Sequence, residues 1–233
     1  MKNEYLGRDL EAMSFALNYH EWVIRDFRPY LGHLVVEVGA GLGDFTSLLL
    51  KDGVECIVAF EPSTHMYSSL RERFETEKKV KTICGCFDVR YLNRSCSDSV
   101  VYINVLEHIE DDTAELDKAF DALKPGGHLL LFVPALSWLY GGLDERIGHF
   151  RRYHRRKLIL LLERAGFSVV QAKYFDLLGI LLWYVNFVLF DRPMEKGDVL
   201  LYDRMVVPFM RILEALVPPP AGKNILAIGK KLQ

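Results

Sequence analysis

From His33 to Phe45 the chain reads HLVVEVGAGLGDF. A short apolar run bounded by glycines reads as a strand buried on both faces. Gly39, Gly41 and Gly43 then turn the chain into a helix starting near Phe45. A strand–glycine turn–helix unit brings backbone N–H groups and a helix N-terminus close to a ligand. The spacing restricts which ligand. Dinucleotide sites show G-x-G-x-x-G, with the third glycine three residues after the second. Here the pattern is E-x-G-x-G-x-G, with Glu37 two residues ahead of Gly39.

The same strand–helix alternation continues downstream. Strands are expected at His33–Val38, Glu55–Phe60, Val80–Cys84, Ser99–Ile103, Gly127–Val133, Phe167–Phe175 and Asn224–Gly229. Helical patterns fill the gaps at Phe45–Lys51, Thr64–Glu77, Thr113–Leu123 and Arg155–Ala165, and apolar spacing from residue 8 to 27 suggests a leading helix or two. Such an alternation implies βαβ units and a mostly parallel sheet covered on both faces. Lys124-Pro125-Gly126-Gly127 stops a helix and turns into the fifth strand.

With 233 residues the chain can form one large α/β domain. The net charge of −2 gives no global attraction to nucleic acid or an anionic membrane. Cys56, Cys84, Cys86 and Cys96 lack zinc-finger spacing and read as free thiols in a reducing compartment. Residues 1–10 show no apolar signal-peptide core, so a cytoplasmic location is expected.

Glu61 lies 18 residues beyond Gly43 at the end of the second strand, followed by Pro62. An acidic side chain in that position can accept both hydroxyls of a ribose. The fourth strand and its continuation, Asp98 to Asp112, read DSVVYINVLEHIEDD. Together, E-x-G-x-G-x-G, Glu61 and the L-E-H-I segment resemble the class I S-adenosylmethionine (SAM)-dependent methyltransferases over residues 33–175. The L-E-H-I segment is similar to that of the small-molecule members.

That resemblance implies a three-layer α/β sandwich with a Rossmann-like seven-stranded sheet, order 3-2-1-4-5-7-6 and strand 7 antiparallel. It divides residues 1–233, as one domain, into N-terminal helices (1–30), a SAM-binding core (31–175), an apolar helical insertion between strands 6 and 7 (176–223) and a last strand (224–230). It also implies a SAM site, S-adenosylhomocysteine being the product, built from Glu37, Gly39, Ala40, Gly41, Gly43, Glu61, Pro62, Asn104 and Val105. Adenine would fall to Asp88, or to main chain at Cys86 and Phe87. No second set of carboxylates converges on Glu107 and His108 in the sequence, and no metal is expected; His108 is a candidate to approach the transferred methyl.

The acceptor side is expected after the fifth strand, because ligands of open α/β sheets bind at the carboxyl ends of the strands. Residues 146–157 carry five arginines and one lysine with no acid. Within them, Gly148 to Tyr153 (GHFRRY) resembles a loop that lies over the active site in the type 11/12 group. His149 is expected to orient or deprotonate the nucleophile, and Arg151 or Arg152 to bind an acidic acceptor group. Tyr153 is a further catalytic candidate, placed to line the pocket or pack the loop, and Tyr140 is expected to bind the acceptor. Residues 177–190 are uncharged, yet shorter than the roughly 20 residues a membrane span needs. With the amphipathic pattern at Val206–Val217, they suggest a cap over a small-molecule or lipid-linked anionic acceptor, with peripheral contact at a membrane surface. Nucleic acid is not expected as a partner: no Asn/Asp-Pro-Pro-Tyr/Phe motif follows strand four and the basic run is short. The competing readings are an NAD-dependent oxidoreductase or epimerase, opposed by the glycine spacing, and a non-catalytic SAM-binding protein.

Overall fold

The computed structural model describes residues 13–92 and 96–232. The expected start of the leading helix, before Met13, lies outside them. The elements run α1 (Leu17–Phe27), β1 (Leu34–Val38), α2 (Asp44–Lys51), β2 (Cys56–Glu61), α3 (Thr64–Arg73), β3 (Val80–Cys84) and β4 (Ser97–Ile103). They continue with α4 (Asp112–Ala122), β5 (Leu123–Pro134), α5 (Gly142–Ile147), α6 (Arg155–Arg164) and β6 (Phe167–Phe175). The insertion holds α7 (Leu177–Trp183), a π turn (Tyr184–Leu189), α8 (Lys196–Met205) and α9 (Val207–Leu216), and β7 (Asn224–Lys231) closes the sheet.

The seven strands lie in the order β3-β2-β1-β4-β5-β7-β6. β1 through β5 pair in parallel, and β7 runs antiparallel between β5 and β6. Successive side chains of a strand face opposite sides, and the two cores follow that rule. Val36, Val58, Phe60, Leu129 and Leu131 join Leu116 of α4 and Leu158 and Leu162 of α6 on one face. Val35, Ile57, Ala59, Leu130 and Phe132 join α1, α2, α3 and α9 on the other, around Trp22, Phe27 and Leu49. Covering both faces is what makes these strands continuous apolar runs rather than alternating ones.

Local chemistry sets the helix starts. Gly43 adopts φ +84° at the head of α2. The Ser63 hydroxyl accepts from Met66 N–H ahead of α3, and the Asp111 carboxylate accepts from Ala114 N–H ahead of α4, satisfying amides that have no partner inside the helix. Three boundaries differ from expectation. α3 ends at Arg73 rather than Glu77, because the chain turns at Phe74. β5 begins at Leu123, paired with Ser97, and resumes regular pairing at His128 after the Pro125–Gly127 turn. The insertion is four pieces, since the apolar run breaks after the π turn and α8 carries charged residues that mask its pattern. No helix among the described residues is long and apolar enough to cross a membrane.

Candidate active site

The glycine turn sits at the carboxyl end of β1. Gly39 and Ala40 donate backbone N–H bonds to the Phe60 carbonyl at 2.8 and 2.9 Å, and Gly43 N–H bonds to the Ala40 carbonyl at 2.9 Å. Gly39, Gly41 and Gly43 all take left-handed φ angles of +71°, +57° and +84°. A Cβ on Gly39 would come within 2.5 Å of Val105 Cγ2. The turn therefore needs glycine for both conformation and space.

Two acids brace this turn. Glu61 is buried at the end of β2, and its carboxylate accepts N–H bonds from Gly41 at 2.8 Å and Ser63 at 2.8 Å. Each oxygen keeps a further lone pair for an incoming hydroxyl. Burial raises this carboxyl above the usual range, against the two N–H bonds that lower it. Glu37 is buried beneath the turn and accepts from the Thr46 hydroxyl at 2.6 Å. Burial pushes its carboxyl up to about 8. A cation placed near it would favour the ionised form.

Asn104 follows β4 with φ +52°, an unfavourable conformation for a residue other than glycine and one that gathers at functional sites. Its N–H bonds to the Phe132 carbonyl, and its side-chain oxygen accepts from Asn224 at 3.3 Å. Near the expected adenine position, Cys86 is exposed, whereas Phe87 is buried against Phe60 and Tyr102. The Asp88 carboxylate is occupied by Arg90, accepting from its backbone N–H at 2.8 Å and its Nε at 2.7 Å.

Beside Asn104 opens a cavity of about 480 Å³. Its polar floor is Asn104, Glu107, His108, His149 and Arg152; its apolar walls include Leu182, Trp183 and Phe187 of the insertion and Val199, Leu201 and Val206 around α8. The floor is organised by a residue that sequence reasoning missed. Asp144 of α5 is fully buried and accepts from Arg152 Nε and Nη2 at 2.9 and 3.0 Å, from Gly141 N–H at 3.1 Å and from His149 Nδ1 at 2.6 Å. Burial pushes its carboxyl up, but the His149 and Arg152 bonds outweigh this and hold it below the usual range. The signal available was position: Asp144 stands one helical turn ahead of Gly148, whose left-handed φ of +83° folds His149 back onto it. The arrangement leaves His149 Nε2 facing Glu107 and the cavity, 3.8 Å from Glu107 Oε1. Burial brings the Glu107 carboxyl up to about 8 and takes the His108 imidazole down to about 4.

Several candidates sit elsewhere than expected. The guanidinium of Arg152 is committed to Asp144 and the Ala135 carbonyl and lies 4.6 Å from the Trp183 ring centre. Arg151 bonds to the Glu110 carbonyl at 2.6 Å and pairs with Asp112 at 2.7 Å. Neither arginine is a free anion clamp; both pin the loop to the body of the fold. Tyr153 is buried and its hydroxyl reaches the Leu106 carbonyl and Asp112, and Tyr140 donates to the His149 carbonyl at 2.8 Å. Neither tyrosine borders the cavity. They hold the loop that carries His149. The expectation of a site without metal ligands also meets a different geometry, since Glu107, His108 and His149 bring one donor atom each within 4.8 Å of the others.

Comparisons with known proteins bear on the family and the fold. The family model for a methyltransferase domain matches residues 18–172. A Mycolicibacterium smegmatis protein described as a SAM-dependent methyltransferase is 28% identical over 140 residues, 59% of this chain and 53% of that protein. A tRNA U34 carboxymethyltransferase of Ruthia magnifica is 26% identical over 135 residues, 56% of this chain and 42% of that protein. The chain thus matches about half the length of these relatives or less. Among solved structures, the methyltransferase subunit complexed with the Haloferax volcanii Trm112 activator superposes with a TM-score of 0.67 at 16% identity, covering 98% of this chain and 95% of that one. The Haemonchus contortus phosphoethanolamine N-methyltransferase 2, solved with SAM, gives 0.64 at 17% identity over 98% of this chain and 59% of that one. The exclusion of nucleic acid as a partner is overturned by the carboxymethyltransferase relatives, whose names carry a tRNA. The expectation rested on a motif and a basic run, and neither reports how such a relative meets its RNA. The glycine turn over Glu37, the Glu61 carboxylate and the matched span lead to one conclusion: the chain belongs to the methyltransferase-domain family, whose cofactor is S-adenosylmethionine.

Proposed function

We propose that the chain transfers the SAM methyl group to an oxygen or nitrogen of an acceptor whose apolar part fills the cavity beside Asn104. The observation that carries this reading is the position of that cavity. Asn104, at the end of β4, bounds it on the side of the glycine turn, and Glu107, His149 and the insertion bound it on the other. Methyl transfer from a sulfonium is an in-line displacement with a good leaving group. The protein chiefly has to align the acceptor and exclude water, and alignment of this kind is worth of order 7–11 kcal/mol in favourable cases. SAM supplies the methyl group. Glu37 and the turn amides hold its amino-acid end, Glu61 its ribose hydroxyls, and His149 orients the reacting atom and takes its proton. Asp144 serves His149 as a positioning residue by fixing the ring through Nδ1.

The insertion supports an acceptor with a substantial apolar part. Its inner face lines the cavity, and Leu181, Met205, Phe209, Leu216 and Val217 each expose more than half of their surface on the outside. Exposed apolar area on this scale marks a contact surface. A second reading, an RNA acceptor, is favoured by the tRNA-modifying relatives. The test is S-adenosylhomocysteine release from SAM with amphiphilic hydroxy- and amino-compounds of graded chain length, beside a tRNA transcript. Turnover that rises with chain length supports the cavity reading; turnover with the transcript alone overturns it.

A further inference from the structure

Both carboxylate oxygens of Glu107 are buried without a hydrogen-bond partner, on a side chain that is fully buried at the cavity floor. A buried acceptor left unpaired forfeits the hydrogen bonds it made in water, so such an oxygen asks for a partner. The protein groups nearby do not provide it. Arg152 is spent on Asp144, and His149 Nε2 stops 3.8 Å away, beyond hydrogen-bond distance.

The two imidazoles around Glu107 share a second property. His149 has its Nδ1 engaged by Asp144 at 2.6 Å. His108, whose ring packs edge-on against that of His149 at 4.6 Å, is held by the backbone carbonyls of Ile147 and Gly148. Each ring is thus held by an oxygen acceptor outside the trio. Ligating histidines are normally fixed in this way, by a carboxylate or a carbonyl on the far nitrogen.

We propose that Glu107, His108 and His149 form a binding site for one divalent transition-metal ion at the floor of the acceptor cavity. Their donor atoms lie within 4.8 Å of one another. Bonds of about 2.0–2.2 Å to a common ion require neighbouring donors roughly 3.0–3.6 Å apart. The His149–Glu107 pair at 3.8 Å is near that range, and the widest pair must close by about 1 Å. Two nitrogens and one carboxylate suit zinc, manganese, cobalt or ferrous iron rather than magnesium or calcium, which take oxygen shells. Charge agrees: Arg152 balances Asp144, which leaves Glu107 as the uncompensated carboxyl. The open coordination positions face the cavity, so the ion would hold the acceptor's reacting oxygen or nitrogen. The proposal rests on the cavity being the acceptor site, and it makes His149 a ligand in place of a proton acceptor.

The experiment titrates the chelator-stripped chain with Zn²⁺ by calorimetry and with Co²⁺ by visible absorption. A Cys84→Ser/Cys86→Ser background removes the two exposed thiols of the C-x-C pair, the competing soft site. One ion per chain is expected, with a cobalt spectrum free of thiolate charge transfer. Glu107→Gln, His108→Asn and His149→Asn should each weaken binding by tenfold or more, while S-adenosylhomocysteine binding, measured in parallel, reports that each variant is folded. Stoichiometric binding that persists in folded His149→Asn and Glu107→Gln overturns the site, as does the loss of all binding with the cysteine pair. A metal-free chain that still transfers methyl at the full rate overturns the ion's role and leaves the methyl-transfer reading standing. An ion bound through these three residues supports the site even where no acceptor turns over.

Discussion

Asp144→Asn is the substitution on which the architecture of the acceptor side bears most directly. The wild-type carboxylate takes two bonds from Arg152, one from His149 and one from the Gly141 N–H, with the Asp144 and Arg152 side chains each 1% exposed. Asparagine keeps the shape but removes the charge and turns an N–H₂ toward one of these donors. Arg152 then stays buried with the Ala135 carbonyl, at 3.3 Å, as its other acceptor. Breaking a buried ion pair from one side costs about 3–5 kcal/mol, chiefly because the remaining charge is stranded. With a urea m-value of about 2 kcal/mol/M, a loss of about 4 kcal/mol moves the unfolding midpoint by roughly 2 M. The companion variant is Asp144→Asn/Arg152→Met, which removes the stranded charge and leaves an apolar chain against Trp183. It should recover at least about 2 kcal/mol of the single-variant loss, since uncharged replacements of a buried pair are often near neutral. Urea denaturation followed by circular dichroism gives both numbers. A single-variant cost below about 1 kcal/mol, or a double variant that loses more than the single, would refute the reasoning that this pair carries the loop.

Gly39→Ala should reduce SAM affinity by tenfold or more, read by calorimetry, because the new Cβ collides with Val105 at 2.5 Å in a left-handed backbone; Gly53→Ala, at φ +85° with nothing within 4 Å, should leave affinity unchanged. Glu37 holds its proton up to about 8 in the folded chain against 4.5 when free, so its contribution is complete below pH 4.5 and is lost as pH rises toward 8. Glu37→Gln should therefore flatten the fall in melting temperature between pH 5 and 8; an unchanged slope would contradict the burial argument. Trp183→Ala should raise the KM for an apolar acceptor while SAM affinity holds, since Trp183 lines the cavity and touches Arg152 from the insertion side.

The sheet was legible because its central strands are buried on both faces, which leaves runs such as Ile57–Phe60 and Leu129–Val133 unbroken by polar residues. The strand order was not contained in those runs; it came with the resemblance carried by Glu37, Glu61 and the Leu106–Ile109 segment. The acceptor side was less legible for a physical reason. Arg151 and Arg152 look like a free cationic loop when read in a line, yet their partners Asp112 and Asp144 stand 39 and 8 residues away, and only folding shows the charges are spent internally. The meeting of Glu107 with His149 joins positions 42 residues apart and leaves no local pattern. In α8, buried Asp203 accepts N–H bonds from Asn18 and Tyr19, so a charged residue that reads as surface is a tertiary anchor.

We propose that the glycine turn, Glu37 and Glu61 hold SAM next to the acceptor cavity. Calorimetric titration of the chain with SAM, S-adenosylhomocysteine and NAD, repeated on Glu61→Ala, tests it most directly. The expected result is one SAM or S-adenosylhomocysteine per chain, competition between the two, no heat from NAD, and a loss of at least tenfold in affinity in Glu61→Ala. Binding of NAD without SAM, or SAM affinity indifferent to Glu61, would contradict it.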